Sequence, residues 1–185
     1  LVGSEMCIRD RNGTEIDVLE YGKKKGFNYG RLRLWNAPQN IPESGGYCDL
    51  LQTIAMAKRL KKLDIPYLLD FHYSDWWADP EHQNIPKAWK DLSVDAMAQE
   101  LFAFTEQALL ALKEADVYPD MIQIGNEIRN GMLFPVAKVP KWENLAKLVN
   151  SGIAAARKVN ADTKLMIHLD EGATYAYYEE WFDHM

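Results

Sequence analysis

The stretch Met121–Pro135, MIQIGNEIRNGMLFP, runs from an apolar strand directly into a polar turn. Read with a period of two, Ile122 and Ile124 share one face of the strand. Gln123 and Glu127 share the other face. A strand that is buried on both faces should be apolar in both phases, whereas here one phase is polar and ends in an acid. The pattern therefore predicts a strand whose inner face opens into a site, with Glu127 at its mouth.

The same alternation recurs in three further segments, which the period of two predicts as strands. They lie at Asn28–Trp35, Tyr67–His72 and Lys164–Asp170. In each segment one phase is apolar and the other turns polar toward the carboxyl end. Together with the strand at Met121, the polar phases carry four pairs of side chains: Arg31 and Arg33, Asp70 and His72, Gln123 and Glu127, His168 and Asp170.

Helices are predicted between the strands from apolar residues spaced by three or four. They cover Glu15–Lys25, Asp49–Asp64, a segment capped by Ser93 that runs to about Ala115, Trp142–Asn160, and a segment that begins near Thr174. Three segments rich in proline, glycine, aromatic and polar residues are predicted as loops. These are Asn36–Tyr47, Tyr73–Asp91 and Asn130–Pro140.

Strands that alternate with helices imply right-handed βαβ units and a parallel sheet. Such a sheet is either open or closed into a (β/α)8 barrel. No glycine-rich phosphate loop follows any predicted strand, and the inward pair Arg31 and Arg33 fits a barrel lumen better than a sheet face covered by helices. We therefore predict an α/β fold, an incomplete (β/α)8 TIM barrel that comprises about strands 2–5 with their helices.

The ends of the chain read differently from its middle. Leu1–Asn12 carries no strand or helix period, and we expect it to be a stray or non-native segment. The partial barrel is assigned to residues 13–185. Because the final helix stops without a cap, we expect a chain that is truncated at both ends.

Composition excludes several functional classes. The formal net charge of −6 over 185 residues argues against a surface for nucleic acid or anionic membranes. No apolar stretch reaches the length of a membrane span and no signal peptide is visible. With two cysteines, a disulfide framework is not indicated.

Charged groups that converge on one rim form either a structural salt network or a site, because half-buried charges are costly unless they are paired. One interpretation is glycoside hydrolysis by two carboxylates. Glu127 would be the general acid, and Asn126 would direct its amide to a sugar hydroxyl. Arg33 would keep a second carboxylate ionised, and that carboxylate should lie about 5–5.5 Å from Glu127 in a retaining mechanism.

Two other interpretations stay open from the residues alone. Asp70, His72, His168 and Asp170 have the ligand types of a zinc-dependent barrel hydrolase, although neighbouring arginines would repel a cation. A non-catalytic carbohydrate-binding module is less favoured, because it does not need an Asn–Glu pair at a strand end. Loops rich in tryptophan favour a sugar.

Five segments resemble, in order, glycoside hydrolase family 53, the arabinogalactan endo-β-1,4-galactanases of the clan-A barrel type. They are NYGRLRLWNAP (Asn28–Pro38), LLDFHYSDWWADP (Leu68–Pro80), IPKAW (Ile85–Trp89), MIQIGNEIRNGMLFP (Met121–Pro135) and KLMIHLD (Lys164–Asp170). The resemblance implies a retaining hydrolase of β-1,4-galactan that acts by double displacement. Another clan-A endo-β-glycanase, a mannanase or glucanase, is the alternative.

The resemblance also implies roles for individual residues. Glu127 is the acid/base, with Asn126 beside it, Arg33 (or Arg31) as support for the nucleophile, and His72 within the catalytic group. The predicted substrate-binding residues are Trp35, Asp70, Asp75, Trp76, Trp77, His168 and Asp170. The family's nucleophile, a second Glu at the end of the seventh strand, is absent from this chain, so we expect the chain alone to be inactive.

The resemblance further implies the setting in which the protein works. We expect no cofactor and no metal in this segment, with calcium possible only in loops that would lie beyond Met185. The expected partner is the polysaccharide substrate, with no nucleic acid and no membrane. We expect a monomer when the protein is full length, in an extracellular or periplasmic location.

Overall fold

A computed structural model describes residues 7–9, 13–39 and 47–185. Its strands and α-helices are, in chain order, β1 (Cys7–Arg9), β2 (Glu15–Asp17), α1 (Val18–Lys24), β3 (Gly30–Leu34), α2 (Leu50–Lys62), β4 (Tyr67–Phe71), α3 (Val94–Glu114), β5 (Met121–Ile124), β6 (Gly131–Met132), β7 (Ala137–Lys138), α4 (Trp142–Val159), β8 (Lys164–Met166) and α5 (Tyr175–His184).

The central sheet contains four parallel strands in the order β3, β4, β5, β8. Each strand is joined to the next through one of the helices α2, α3 and α4, so neighbours in the sheet are also successive units of the chain. Arg33 lies opposite Asp70, and Asp70 lies opposite Gln123. These three side chains therefore share one level and one face of the sheet. The arrangement is that of consecutive (β/α) units of a barrel, as predicted.

The opposite face of the sheet is covered by α2, α3 and α4 and forms the core. Leu69, Phe71, Ile122 and Ile124 are fully buried on this face. They belong to one apolar cluster with residues of these helices, among them Leu60, Leu101, Leu109, Leu112, Leu145 and Leu148. Burial of a side chain of this size stabilises the fold by about 1.5–3 kcal/mol. The apolar phase of each strand therefore holds the sheet against its helices, and the polar phase remains for the lumen.

Side-chain caps explain where three helices begin. Ser93 accepts a hydrogen bond from the Ala96 amide and starts α3 as predicted. The carboxylate of Asp49 caps α2 through the Gln52 amide. Asp17 caps α1, so the helix predicted from Glu15 begins only at Val18.

Several predicted bounds need correction. β4 and β8 end before His72, His168 and Asp170, which lie in the turns that follow. The predicted loop Asn130–Pro140 contains the antiparallel pair β6 and β7. Within Leu1–Asn12, where no strand was predicted, Cys7–Arg9 pairs with Glu15–Asp17. The rest of that segment, and positions 40–46 of the predicted loop Asn36–Tyr47, lie outside the described residues.

Among the described residues, no helix has the length and apolar character needed to cross a bilayer.

Candidate active site

A cavity of about 430 Å³ opens at the carboxyl ends of β3, β4 and β5. This is the end of the strands at which barrel enzymes carry their active sites. The residues that line it come from the strand ends and from the loop after β4: Arg31, Arg33, Asp70, His72, Trp77, Ala78, Asp79, Asn126 and Glu127. Arg31, Arg33, Asp70 and His72 thus meet at one cavity, as their phase in the sequence predicts, whereas Gln123, His168 and Asp170 are not among its lining residues.

Glu127 reaches the cavity through a turn and not through strand alternation. β5 ends at Ile124, and Gly125 has a φ of +79°. Glu127 itself adopts a left-handed conformation, with φ 52° and ψ 47°, which costs a non-glycine residue of order 1–3 kcal/mol. The prediction that Gln123 and Glu127 share a face of a continuous strand is therefore wrong, although the predicted position of Glu127 at the mouth agrees with the structure.

Gly125 is needed for this turn because the chain passes close to Ile128. A Cβ atom added at position 125 would lie 2.7 Å from Cγ2 of Ile128, closer than two carbon atoms can approach without displacement. Ile128 is fully buried and cannot move outward. The backbone around Glu127 is therefore fixed by packing on one side.

Asp70 is the centre of a buried hydrogen-bond network beneath the cavity. Its side chain is 1% exposed and pairs with Arg31 Nη2 at 3.0 Å. His72 Nε2 contacts the same oxygen at 3.1 Å, and Gln123 Nε2 donates to the other oxygen at 2.6 Å. A buried carboxylate with three donors is satisfied, so Asp70 orients its neighbours more directly than it could bind a sugar.

The Asn126 amide is held in one orientation by its partners. Its Oδ1 accepts from Arg31 at 2.7 Å and from His168 Nδ1 at 2.8 Å, and its Nδ2 donates to the Ala78 carbonyl at 2.8 Å. Nδ2 carries two hydrogens, and no second acceptor for it is found among the described residues. Asn126 can therefore offer one N–H donor to a ligand.

The two histidines near the cavity have assigned tautomers. The Ala78 amide donates to His72 Nδ1 at 3.1 Å, so the ring proton lies on Nε2 and points to Asp70. His168 donates from Nδ1 to Asn126. Burial and the positive charge of Arg31 lower the pKa of His168, against the opposing effect of Glu127 and other carboxylates. The imidazole of His168 is therefore neutral at neutral pH.

These tautomers bear on the zinc hypothesis. A zinc ligand needs a free lone pair on a ring nitrogen. His72 has none, because one nitrogen accepts and the other donates, whereas His168 keeps one on Nε2. Within residues 13–39 and 47–185, no group of three or more His, Cys, Asp or Glu side chains is placed to hold a metal ion. The donor set does not fit a zinc-dependent hydrolase.

Trp35, Trp76 and Trp77 form an aromatic cluster, and Trp77 lines the cavity beside Arg33. Trp76 and Trp77 are 41% and 39% exposed, and the Arg33 guanidinium lies 3.9 Å from the ring centroid of Trp77. Trp35 is fully buried, with its ring 5.6 Å from that of Trp77. The predicted contact between Trp35 and substrate does not fit this burial, because the residue supports the exposed rings from below.

Two predicted carboxylates bind protein groups outside the cavity lining. Asp75 accepts from the Ala37 and Lys87 amides at 2.9 and 2.8 Å, which ties two loops together. Asp170 forms a two-oxygen pair with Arg129, with a nitrogen–oxygen distance of 3.0 Å. Their predicted roles in substrate binding stay predictions.

Sequence reasoning missed three residues of this region. Ala78 supplies both a donor and an acceptor to the network, and Asp79 lines the cavity. Gln83 is buried and donates to the carbonyl of Asn126 at 2.7 Å. They lie in an irregular loop, where no periodic pattern could indicate them.

A family model described as Glycosyl hydrolase family 53 matches residues 3–185. The chain belongs to glycosyl hydrolase family 53. The match begins inside the segment Leu1–Asn12, whose origin stays a prediction. The family resemblance of the five sequence segments is thereby confirmed.

Two curated relatives match nearly the whole of this chain. An uncharacterized protein of Niallia circulans is 43% identical over 183 residues, which cover 95% of this chain and 49% of the relative. An endo-beta-1,4-galactanase of Bacillus subtilis is 34% identical, with 96% of this chain and 41% of the relative covered. The chain thus spans about half the length of the curated relatives it matches.

A solved family 53 structure agrees with the described fold. The GH53 catalytic domain of Ignisphaera aggregans superposes with a TM-score of 0.86 at 38% identity, and the match covers 95% of this chain and 51% of that one. Because half of that domain accounts for nearly the whole chain, the prediction of an incomplete (β/α)8 barrel is confirmed.

Proposed function

We propose that this chain supplies the acid/base side of a retaining endo-glycosidase that hydrolyses β-1,4-galactan. The observation that carries the proposal is the pairing of Glu127 with Asn126 in a cavity at the carboxyl ends of the strands, beside Arg33 and Trp77. Membership of family 53 supports the reaction class, and the name of the Bacillus subtilis relative supports galactan as substrate.

Glu127 serves both halves of the double displacement in this proposal. As an acid it protonates the oxygen of the departing sugar while a second carboxylate attacks the anomeric carbon. As a base it then takes a proton from the water that hydrolyses the glycosyl-enzyme. The left-handed turn at Glu127 supports this role because it fixes the side chain where the strands end.

The nucleophile in this proposal is a second Glu that this chain does not contain. A retaining mechanism places it about 5–5.5 Å from Glu127. Arg33 is the arginine assigned to keep that carboxylate ionised, because it lines the cavity two residues nearer the carboxyl end of β3 than Arg31. In this proposal Asp70 and His72 act indirectly, by orienting the residues that contact the substrate.

Sugar recognition is assigned to groups that remain open to the cavity. The second N–H of Asn126 is placed to donate to a sugar hydroxyl, most usefully the one next to the reacting carbon. The exposed faces of Trp76 and Trp77 suit the C–H side of a pyranose, since aromatic rings bury apolar surface at small entropic cost. Asp79 lines the same cavity as a further hydrogen-bond acceptor.

The proposed setting follows from the substrate. Galactan side chains of pectin are polymers outside the cell, so we propose an extracellular or periplasmic protein that acts as a monomer on polysaccharide. Metal and cofactor have no part in the proposed steps.

The test uses a full-length protein that contains this chain. Purified protein is incubated with β-1,4-galactan, β-mannan and β-glucan, and reducing ends and product anomers are followed with time. We expect cleavage of galactan with a β-configured first product. Cleavage of mannan or glucan alone would assign another clan-A specificity, and an α-configured first product would refute the retaining mechanism.

Glu127→Gln tests the acid role in the same protein. Loss of the acid should reduce kcat/KM on galactan by about 10²–10⁴-fold, yet largely spare an aryl β-galactoside with a very good leaving group. Glu143→Gln is the matched control, since Glu143 is exposed on α4. Equal losses on both substrates would contradict the role of Glu127 as acid.

A further inference from the structure

Gln83 joins two loops that meet at the cavity, although it does not line the cavity itself. The residue is 2% exposed. Its Nε2 donates to the Asp79 carbonyl at 3.0 Å and to the Asn126 carbonyl at 2.7 Å. Both hydrogens of the amide nitrogen are thereby used, and both acceptors are backbone groups of cavity-lining residues.

The carbonyl of Asn126 belongs to the peptide unit that connects Asn126 to Glu127. Rotation of this planar unit changes ψ of Asn126 together with φ of Glu127. The hydrogen bond from Gln83 therefore acts on the dihedral angle that places Glu127 in its left-handed conformation. On the other side, the Ile128 amide donates to the His168 carbonyl at 3.1 Å. Both peptide units that flank Glu127 are thus held by hydrogen bonds.

The loop after β4 is attached to the loop after β5 by further hydrogen bonds around Gln83. Asn126 Nδ2 donates to the Ala78 carbonyl, and Asn130 Nδ2 donates to the Pro80 carbonyl at 3.1 Å. The Phe134 amide donates to the carbonyl of Gln83 itself at 2.7 Å. The loop that carries Trp77 is therefore fixed relative to Glu127, with Gln83 at the middle of the contact.

We infer that Gln83 is a positioning residue for Glu127. It fixes the peptide unit that precedes Glu127, and it holds the loop that carries Trp77 at a set distance from Glu127. The inference rests on the proposed function, since it assigns to Glu127 the chemistry that needs positioning. The physical reason is that a left-handed non-glycine residue persists only where its surroundings over-determine it. A displacement of about 1 Å at a reacting group can cost about 10²-fold in rate.

Three variants of the full-length protein separate positioning from packing. Gln83→Met keeps the length and volume of the side chain but removes both donors. Gln83→Glu places a carboxyl between two carbonyl oxygens, where only its protonated form has a hydrogen to donate. Gln107→Met is the matched control, because Gln107 is exposed on α3.

If Gln83 positions Glu127, the loss of activity in Gln83→Met should depend on the substrate. We expect kcat/KM on the polysaccharide to fall by about 10–100-fold, with a much smaller loss on the aryl galactoside that needs no acid. In Gln83→Glu, activity relative to wild type should recover as the pH falls, since protonation restores one donor. A merely structural role would lower kcat/KM equally on both substrates and would give no recovery of activity at acid pH. Either result would overturn the inference.

Amide exchange gives a readout that is independent of catalysis. With Gln83→Met we expect the Ile128 amide to exchange about tenfold faster than in wild type, because local opening becomes easier. Gln107→Met should leave this amide unchanged. An unchanged exchange rate of the Ile128 amide in Gln83→Met would overturn the inference, whatever the kinetic results. If wild-type protein leaves galactan intact while Gln83→Met accelerates this exchange, the proposed function fails and the positioning of residue 127 stands.

Discussion

Replacing Gly125 with alanine introduces a methyl group into the turn that positions Glu127. The φ of +79° at Gly125 is unfavourable for a residue with a Cβ, at a cost of about 1–2 kcal/mol. The same Cβ would lie 2.7 Å from Cγ2 of Ile128, and overpacking of this kind costs about 1–3 kcal/mol. Together we expect Gly125→Ala to lower the free energy of unfolding by about 2–5 kcal/mol.

Gly26→Ala is the control that separates the two contributions. Gly26 has a φ of +95°, but nothing lies within 4 Å of a Cβ built there. We expect it to cost only the conformational part, about 1–2 kcal/mol. A double variant, Gly125→Ala with Ile128→Ala, removes the clashing atom, so its cost should be smaller than the sum of the single variants.

Urea unfolding followed by circular dichroism is measured under one set of conditions for the wild type, Gly125→Ala, Gly26→Ala, Ile128→Ala and the double variant. If Gly125→Ala unfolds at the same urea concentration as Gly26→Ala, the close approach to Ile128 is not present and the reasoning about the turn is refuted. The same conclusion follows if the double variant shows costs that are strictly additive.

Two further predictions concern charges beneath the cavity. Asp70→Asn should lower the free energy of unfolding in urea by about 2–4 kcal/mol, less than for a fully buried pair, because Arg31 is 44% exposed. Asp95→Asn, which breaks an exposed ion pair between α3 and α4, should cost less than about 1 kcal/mol. Equal costs for the two variants would contradict the network around Asp70. His168 has a pKa below the ordinary 6.5 in the folded protein. As the pH falls, the unfolded chain therefore binds a proton at this histidine before the folded protein does. The stability that the neutral His168 contributes is complete above pH 6.5 and should be lost as the pH falls through the folded pKa. His168→Asn should flatten this acid-side loss below about pH 6.5. An unchanged slope in His168→Asn would contradict the assignment.

Strand periodicity predicts which side chains face the cavity side of the sheet wherever the strands are regular. Arg33, Asp70 and Gln123 occupy corresponding positions in three strands, and the register places them in one row. The apolar phases likewise predict the core on the other face. Period-two patterns succeed here because neighbouring parallel strands pair in register and turn equivalent side chains to the same side.

The same periodicity fails where a strand ends. Glu127 lies beyond β5, and its orientation comes from Gly125 and from hydrogen bonds to distant loops. Asp75 accepts hydrogen bonds from two backbone amides of other segments, a contact that no local pattern indicates, and its predicted role in substrate binding stays a prediction. Gln83 carries no pattern at all, because its importance depends on which carbonyls the folded loops bring to it. Long-range contacts between irregular segments are not encoded in any local spacing.

The central claim is that Glu127 transfers a proton to the departing sugar and later takes one from water. Azide rescue tests it directly in a full-length protein that contains this chain, with Glu127→Ala and an aryl β-galactoside of very good leaving group. Azide needs no base to attack the glycosyl-enzyme, so added azide should restore turnover and release β-galactosyl azide. Failure of azide to accelerate the variant, or release of the α-azide, would contradict the assignment of Glu127.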